Sequence, residues 1–222
     1  AGHEIAHGGV LQQRDLAVEH ADIDLARLAG HGATVQGGHH ADRGEQAGAY
    51  IADGGADPGR GRAFMAGGDL AHLHGATGEE RPRAANALVG AFHEIVLAMA
   101  RLSKPIVAGI NGVAAGAGVS MAMACDLVVM AAEAKLVMAY TGIGATPDGG
   151  STFALPRLIG PKLAMEMLLL NEPVDAETAR AWGLVNRIVP AAEVPAEAMK
   201  LAKKLAAGPT LSYARTRRLV SE

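Results

Sequence analysis

The sequence predicts an α/β fold, with one domain that continues into a helical C-terminal region. Short apolar segments alternate with helical ones through the middle of the chain, and the last part is almost entirely helical in pattern. A chain of 222 residues can also form one well-buried domain. We therefore expect a core domain over residues 1–190, atypical over 1–60, and the start of a C-terminal helical region over 191–222.

The first sixty residues differ in composition from the rest. A short strand could open the chain within residues 1–10, and a weak apolar period allows a helix around 14–29. Residues 29–60 predict loop or disorder, because apolar residues rarely recur and glycine is frequent. His39 and His40 lie here, but no cysteine or well-spaced carboxylate completes a metal site, so no metal is expected.

Regular patterning begins at residue 61. Phe64 and Met65 predict the end of a strand, Gly67-Gly68 a turn with exposed N–H groups, and Asp69 a helix N-cap. Apolar residues at three- and four-residue steps then predict an amphipathic helix over 83–102.

The central segment is Lys104–Asp126. It predicts a buried strand over Ile106–Ile110, a turn rich in glycine, and a helix rich in alanine and methionine. A helix that begins just after such a turn directs unpaired N–H groups and the positive end of its dipole at its N-terminus. The segment is therefore typical of a site for a phosphate or for an oxygen that becomes anionic during a reaction.

The remainder of the chain predicts further alternation. Strands are expected over 127–130, 135–139 and 184–189, and a glycine-rich loop over 140–152. Helices are expected over about 160–171, 175–182, 194–207 and 210–222, the second ended by Gly183 and the third by Gly208-Pro209.

The central glycine turn allows three interpretations. A dinucleotide site is disfavoured because Met121 stands where the third glycine of Gly-x-Gly-x-x-Gly is needed. A serine hydrolase elbow at Ser120 is disfavoured because every histidine lies at or before His93, and that fold needs one downstream. An oxyanion hole for a thioester needs two N–H donors, which two separate glycine turns can supply, and an acid/base. Asp148 is the best-placed carboxylate, although a turn-forming aspartate that bonds its own backbone has the same pattern.

From residue 61 to about residue 190 the chain resembles the crotonase (enoyl-CoA hydratase/isomerase) superfamily. The resemblance is carried by six segments in the family's order, which agree at several levels of pattern at once. These segments are residues 61–70, Lys104-Pro105, 111–126, Pro147-Asp-Gly-Gly150, Leu155-Pro-Arg-Leu-Ile-Gly160 and 181–189. The resemblance implies a crotonase-like spiral of ββα units, an acyl-CoA thioester substrate, and a homotrimer or hexamer.

The resemblance also implies roles for individual residues. The two oxyanion N–H groups correspond to Gly68 and Ala117. The turn of Ala66, Gly67, Asp69 and Leu70 would lie against coenzyme A, with Gly116 and Tyr140 also at the substrate. Coenzyme A is part of the substrate, and no separate cofactor is implied.

The departures from the family pattern favour one reaction over another. Hydratases of the family have glutamates at the positions of Ser120 and Tyr140. Adding water to an enoyl thioester needs a base and an acid, so ordinary hydration is disfavoured. Asp148 matches an aspartate of family members that shift double bonds or isomerise ring-derived CoA esters. We therefore expect double-bond isomerisation with Asp148 as acid/base. Hydration, or a weakly catalytic acyl-CoA-binding or trimeric scaffold protein, is the alternative.

The two residues at these glutamate positions have other possible roles. Ser120 could order water, hold a substrate hydroxyl or simply pack in the helix interior. Tyr140 could line the acyl pocket.

Charge and composition bound the remaining partners. A formal charge of -3 and a pI near 6.3, with no basic patch interleaved with aromatics, give no expectation of nucleic-acid binding. No uninterrupted apolar segment is long enough to predict a membrane span. One cysteine suits a reducing compartment, so a cytoplasmic location is expected.

Overall fold

A computed structural model describes residues 33–37, 49–53, 63–68, 73 and 75–221, the first two segments by their backbone only. The expected strand within 1–10, the expected helix around 14–29, the His39-His40 pair and the Asp69 N-cap lie outside the described residues.

The described part of the chain contains nine strands and six α-helices. The strands are β1 (Ala33–Gly37), β2 (Ala49–Asp53), β3 (Ala63–Met65), β4 (Ile106–Ile110), β5 (Val113–Ala115), β6 (Leu127–Ala131), β7 (Lys135–Val137), β8 (Val174–Asp175) and β9 (Arg187–Val189). The helices are α1 (Glu80–Arg101), α2 (Ala117–Met123), α3 (Ser151–Leu170), α4 (Ala176–Ala181), α5 (Val194–Ala206) and α6 (Thr210–Ser221). Single 3₁₀ turns lie at Thr141–Ile143 and Ala191–Glu193.

The strands form two sheets, and the strands from β2 to β7 alternate between them. One sheet has the order β1-β2-β4-β6-β9 and the other β3-β5-β7-β8. The pairs β2–β4, β4–β6, β3–β5 and β5–β7 are all parallel. Each repeat therefore places one strand in each sheet before the chain turns into a helix, which confirms the expected spiral of ββα units.

The predicted helices and buried strands are largely confirmed. The strand expected over Ile106–Ile110 has those bounds, and all five of its residues are buried, as a central parallel strand requires. The helix expected over 83–102 is α1. Helix α4 ends before Gly183, whose φ of 84° is the left-handed conformation that glycine adopts without strain.

Several predictions were wrong. Residues 29–60 were expected to be loop or disorder, but β1 and β2 lie there, and β2 pairs with β4 from Ala49 opposite Ile106. Strand β5 was missed inside the glycine turn, and β8 was missed before α4. Each of these strands has five residues or fewer. Such short segments form strands because they pair with neighbours distant in sequence, and the local pattern alone does not predict them.

Helix α3 begins nine residues before the expected start of 160. Gly160 interrupts it with φ 79° and ψ 161°, so two helical stretches meet at a kink there. The prediction found only the second stretch, and the expected loop over 140–152 is correspondingly shorter.

Helix α2 is the most deeply buried of the described helices. Six of its seven residues are buried, from Ala117 to Ala122. A Cβ placed on Gly118 would lie 2.2 Å from the carbonyl oxygen of Met65, at the end of β3. Glycine therefore lets α2 approach the backbone of β3 more closely than any other residue would.

Arg217 of α6 joins the C-terminal end of α1 to the centre of the fold. Its guanidinium donates to Asp126 Oδ1 at 2.7 Å and to the carbonyls of Met99, at 3.1 Å, and Leu102. Asp126 in turn accepts from the Ile106 N–H at 2.6 Å. Arg217 thereby gives a donor to one carbonyl in the last turn of α1 and to the carbonyl of the residue that follows the helix.

No helix within the described ranges is both long and apolar enough to cross a bilayer. The same residues contain no group of three or more His, Cys, Asp or Glu side chains placed to hold a metal ion.

We predict that Gly118→Ala lowers the free energy of unfolding by about 1–3 kcal/mol or more, because the new methyl group overlaps the Met65 carbonyl. Urea denaturation monitored by circular dichroism measures this. The matched control is Gly90→Ala in α1, where a Cβ would meet nothing within 4 Å. That change should stabilise by roughly 0.5–1 kcal/mol through helix propensity. Equal effects of the two variants would contradict the proposed close contact.

Candidate active site

Two glycine turns that are distant in the sequence meet in the structure. A Cβ on Gly67 would lie 3.4 Å from the Ala115 carbonyl oxygen, and one on Gly116 would lie 3.9 Å from Gly67 Cα. Both glycines have positive φ, 102° and 54°. The contact follows from the pairing of β3 with β5, since each turn directly follows one of these strands.

The turns place Gly68 and Ala117 on the same cavity. Ala117 is the first residue of α2, so its N–H has no acceptor within the helix, and no other acceptor lies among the described residues. This arrangement agrees with the predicted pair of oxyanion donors, Gly68 and Ala117, whose role remains a prediction.

The cavity has a volume of about 830 Å³ and an apolar wall. One side is the face of α1 that carries small and branched apolar side chains, and the other side is formed by the two turns and the loop after β7. The lining residues used below are Gly68, Leu88, Phe92, Ala117, Tyr140 and Asp148. Asp148 is the one residue with an ordinarily charged side chain among the described residues of this wall.

Asp148 and Tyr140 are joined directly. The Tyr140 hydroxyl donates to Asp148 Oδ1 at 2.5 Å. Ser120 Oγ lies 3.1 Å from the Tyr140 hydroxyl and donates to the Asp148 carbonyl oxygen, also at 3.1 Å. Three residues from α2, the loop after β7 and the turn before α3 thus form one closed hydrogen-bonded group.

Tyr140 is oriented by an unusual backbone. Ala139, just before it, has φ 58°, the left-handed conformation that costs a non-glycine residue roughly 1–2 kcal/mol. The Tyr140 N–H donates to the Met138 carbonyl at 2.7 Å, which closes a tight turn. Strain of this kind is often found where a side chain must have one direction. Here it directs Tyr140 to the cavity and to Asp148.

The pKa of Tyr140 is raised above its ordinary value. Burial of the phenol is the larger cause, and its hydrogen bond to Asp148 adds to it. Tyr140 therefore remains a neutral hydroxyl donor at physiological pH.

The turn that carries Asp148 is tightly packed. Gly149 and Gly150 have φ of 59° and 80°. A Cβ on Gly149 would lie 2.3 Å from Phe92 Cε1 and 2.8 Å from Ser120 Cβ. The sequence Pro147-Asp-Gly-Gly150 predicts a turn, and the structure shows in addition that no side chain fits at its third position, Gly149.

The structure brings most of the predicted site residues together. Ala66, Gly67, Gly68, Gly116, Ala117, Tyr140 and Asp148 all line the cavity. Asp69 and Leu70 lie outside the described residues. Ser120 is 1% exposed and lies behind Tyr140 rather than in the cavity wall, so its contact is with the acid/base group and not with the space for a ligand.

Sequence reasoning missed three contributors to the site. Leu88 and Phe92 belong to the apolar period that predicts the helix over 83–102, but such a period does not say which part of the apolar face borders a cavity. Ser151 was not singled out, although its hydroxyl donates to the Asp148 carbonyl at 2.8 Å. The only sequence signal for Ser151 was its place directly after a glycine pair that precedes a helix.

Comparison with known proteins finds the enoyl-CoA hydratase/isomerase family. Its sequence model matches residues 57–221. A 4-chlorobenzoyl coenzyme A dehalogenase of an Arthrobacter species is 33% identical over 207 residues, which cover 88% of this chain and 73% of that protein. The 1,2-epoxyphenylacetyl-CoA isomerase of Escherichia coli K12 is 38% identical over 152 residues, 68% of this chain and 58% of that protein.

Comparison with solved structures finds the same family. A crystal structure of an enoyl-CoA hydratase from Polaromonas sp. JS666 matches with a TM-score of 0.69 and 36% identity, over 73% of this chain and 63% of that one. The match thus spans less than two thirds of the isomerase and of the crystallised hydratase.

We predict that the Tyr140 phenol ionises above the ordinary value of 10.0. The pKa of Tyr140 is higher in the folded protein than in the unfolded chain. The contribution of Tyr140 to stability is therefore fully present below the unfolded pKa and is lost as the pH rises through the folded pKa. Alkaline titration of phenolate absorbance measures this, and Tyr140→Phe identifies the transition against Tyr50 and Tyr213.

Asp148→Asn should lower the pKa of Tyr140, because it removes the carboxylate that helps to raise it. A Tyr140 transition that does not move in this variant would contradict the hydrogen bond between the two side chains.

Proposed function

Because the chain belongs to the enoyl-CoA hydratase/isomerase family, we propose that it shifts a carbon–carbon double bond in an acyl-CoA thioester, with Asp148 as the acid/base. One observation carries this proposal. Asp148 is the one carboxylate among the described residues that line the cavity. Gly68 and Ala117 line the same cavity. A reaction that needs a single group to remove and return a proton fits such a site best.

The first step would be removal of a proton from the carbon next to the thioester carbonyl. Negative charge then develops on the carbonyl oxygen, and the N–H groups of Gly68 and Ala117, which both line the cavity, would stabilise it. One donor of this kind typically contributes about 2.7–4 kcal/mol to transition-state stabilisation. Returning the proton to a carbon further along the acyl chain completes the shift, and no atoms are gained or lost.

The group formed by Ser120, Tyr140 and Asp148 can accommodate a proton on the carboxylate. While Asp148 is ionised, Tyr140 donates to Oδ1, and the single proton of the Ser120 hydroxyl goes to the Asp148 carbonyl oxygen. Once Asp148 is protonated, it can donate to Tyr140, Tyr140 to Ser120, and Ser120 to the Asp148 carbonyl. Rotation of the two hydroxyls thus lets the group adjust to a proton on the carboxylate.

Hydration is less well supported by this geometry. It needs one group to activate water and another to protonate the α-carbon. Tyr140 remains neutral and is committed to Asp148, and Ser120 lies behind it. Hydration nonetheless stays the alternative, since the similar crystal structure is that of a hydratase.

The remaining assignments are proposals that rest on the family. We propose coenzyme A as part of the substrate with no separate cofactor, a cytoplasmic location, and assembly as a homotrimer or hexamer. Large exposed apolar side chains on α6 support assembly, since an unaccompanied helix would leave them in water. They are Leu211, Leu219 and Val220.

We predict that the protein converts 3-enoyl-CoA esters to 2-enoyl-CoA esters, and that Asp148→Asn lowers kcat by about 10²–10⁴-fold with little change in KM. The amide keeps the shape of the side chain but cannot accept the proton. Chromatography of products from 3-enoyl and 2-enoyl esters measures isomerisation and hydration together.

Three other outcomes would contradict the proposal in different ways. An Asp148→Asn variant as fast as the parent would remove the acid/base role. Water addition faster than the double-bond shift would favour the hydratase. Tight binding of esters without turnover would favour an acyl-CoA-binding protein.

A further inference from the structure

Resting on the proposed role of Asp148, we propose that Ser151 is a positioning residue that fixes the backbone of Asp148 and, through it, the direction of the carboxylate. Ser120 and Ser151 are the buried polar residues of the described chain, 1% and 0% exposed. Both donate their hydroxyls to the same atom, the Asp148 carbonyl oxygen, at 3.1 and 2.8 Å. The Ser151 N–H donates to it as well, at 3.1 Å.

Three donors on one carbonyl exceed what a turn requires. The N–H bond from Ser151 to Asp148 already closes the turn that leads into α3, and a carbonyl oxygen has two lone pairs. A buried hydroxyl costs free energy unless it is hydrogen-bonded, so neither serine is a neutral choice at its position. The two hydroxyls therefore serve to hold the Asp148–Gly149 peptide in one orientation.

Ser151 does not act as a helix cap. A capping serine precedes the helix and accepts from N–H groups of the first turn. Ser151 lies inside α3, its hydroxyl points back to Asp148, and Gly150 at the cap position has no side chain with which to bond.

The surroundings of the peptide leave it little freedom. Phe92 and Ser120 flank Gly149 so closely that a methyl group there would lie 2.3 and 2.8 Å from them. Tyr140 fixes Asp148 at the other end, through Oδ1 at 2.5 Å. Hydrogen bonds thus fix Asp148 both at its backbone carbonyl and at one carboxylate oxygen. The carboxylate is therefore held in the cavity wall, which Ala117 also lines.

The experiment compares Ser151→Ala with Thr152→Ala, which removes an exposed hydroxyl from the adjacent position of α3. The first readout is the alkaline titration of Tyr140, which does not depend on turnover. Loss of the Ser151 hydroxyl should let Asp148 move from Tyr140, so the pKa of Tyr140 should fall toward 10.0. Thr152→Ala should leave it unchanged.

The second readout is kcat against KM for the double-bond shift. Ser151→Ala should lower kcat by between about 10- and 100-fold with KM little changed, the size expected when a reacting group is misplaced by up to 1 Å. In an Asp148→Asn background the same change should lower the residual rate no further. A role in stability alone would reduce thermal stability equally in both backgrounds and leave kcat unaltered below the unfolding transition.

Ser151→Cys provides a second variant if the alanine variant does not fold, since a thiol has nearly the same shape and is a weak donor. It should give a smaller change in the same direction in both readouts. The inference would be overturned if a folded Ser151→Ala or Ser151→Cys variant kept both the parent's pKa of Tyr140 and the parent's kcat. An Asp148→Asn enzyme with full activity would instead remove the proposed function, while the titration would still report whether Ser151 holds Asp148 against Tyr140.

Discussion

The approach of helix α2 to strand β3 is the contact on which the candidate site depends. A Cβ on Gly118 would lie 2.2 Å from the Met65 carbonyl oxygen, so the two elements can lie this close only because that residue is glycine. The contact brings the turn after β3 against the start of α2. The same seven-residue helix carries Ala117 on the cavity and, one turn later, Ser120 against Asp148. One proposed oxyanion donor, Ala117, and a hydrogen-bond partner of the proposed acid/base, Ser120, thus come from one buried helix.

This arrangement explains why a short helix is buried on nearly all sides. A helix of seven residues has little stability of its own, and packing from Ala117 to Ala122 provides what propensity does not. The buried position also means that Ser120 must be hydrogen-bonded, and the atoms within reach are Tyr140 and the Asp148 carbonyl. The burial of α2 therefore also restricts the positions of Tyr140 and Asp148, the residues to which Ser120 must bond.

The sequence predicted the parts of this site that are local and missed the parts that depend on distant neighbours. Strand β4 is a run of five apolar residues after a proline, and its bounds were correct. Asp148 and the two glycine turns could be found because turn chemistry and family resemblance both mark them. The hydrogen bond from Tyr140 to Asp148 spans only eight residues, yet it follows from the strained backbone at Ala139, which no propensity predicts. Strand β2 exists because it pairs with β4, so a glycine-rich composition was a poor guide to it.

Proton exchange tests the central claim most directly, because it isolates the step assigned to Asp148 from the identity of the product. The hydrogens on the carbon next to the thioester carbonyl of a bound acyl-CoA would be followed by NMR in deuterated buffer, for the parent and for Asp148→Asn at equal occupancy. The account predicts enzyme-dependent deuterium incorporation that falls by about 10²–10⁴-fold in the variant while binding of the ester is kept. Exchange at the parent rate in Asp148→Asn would contradict it.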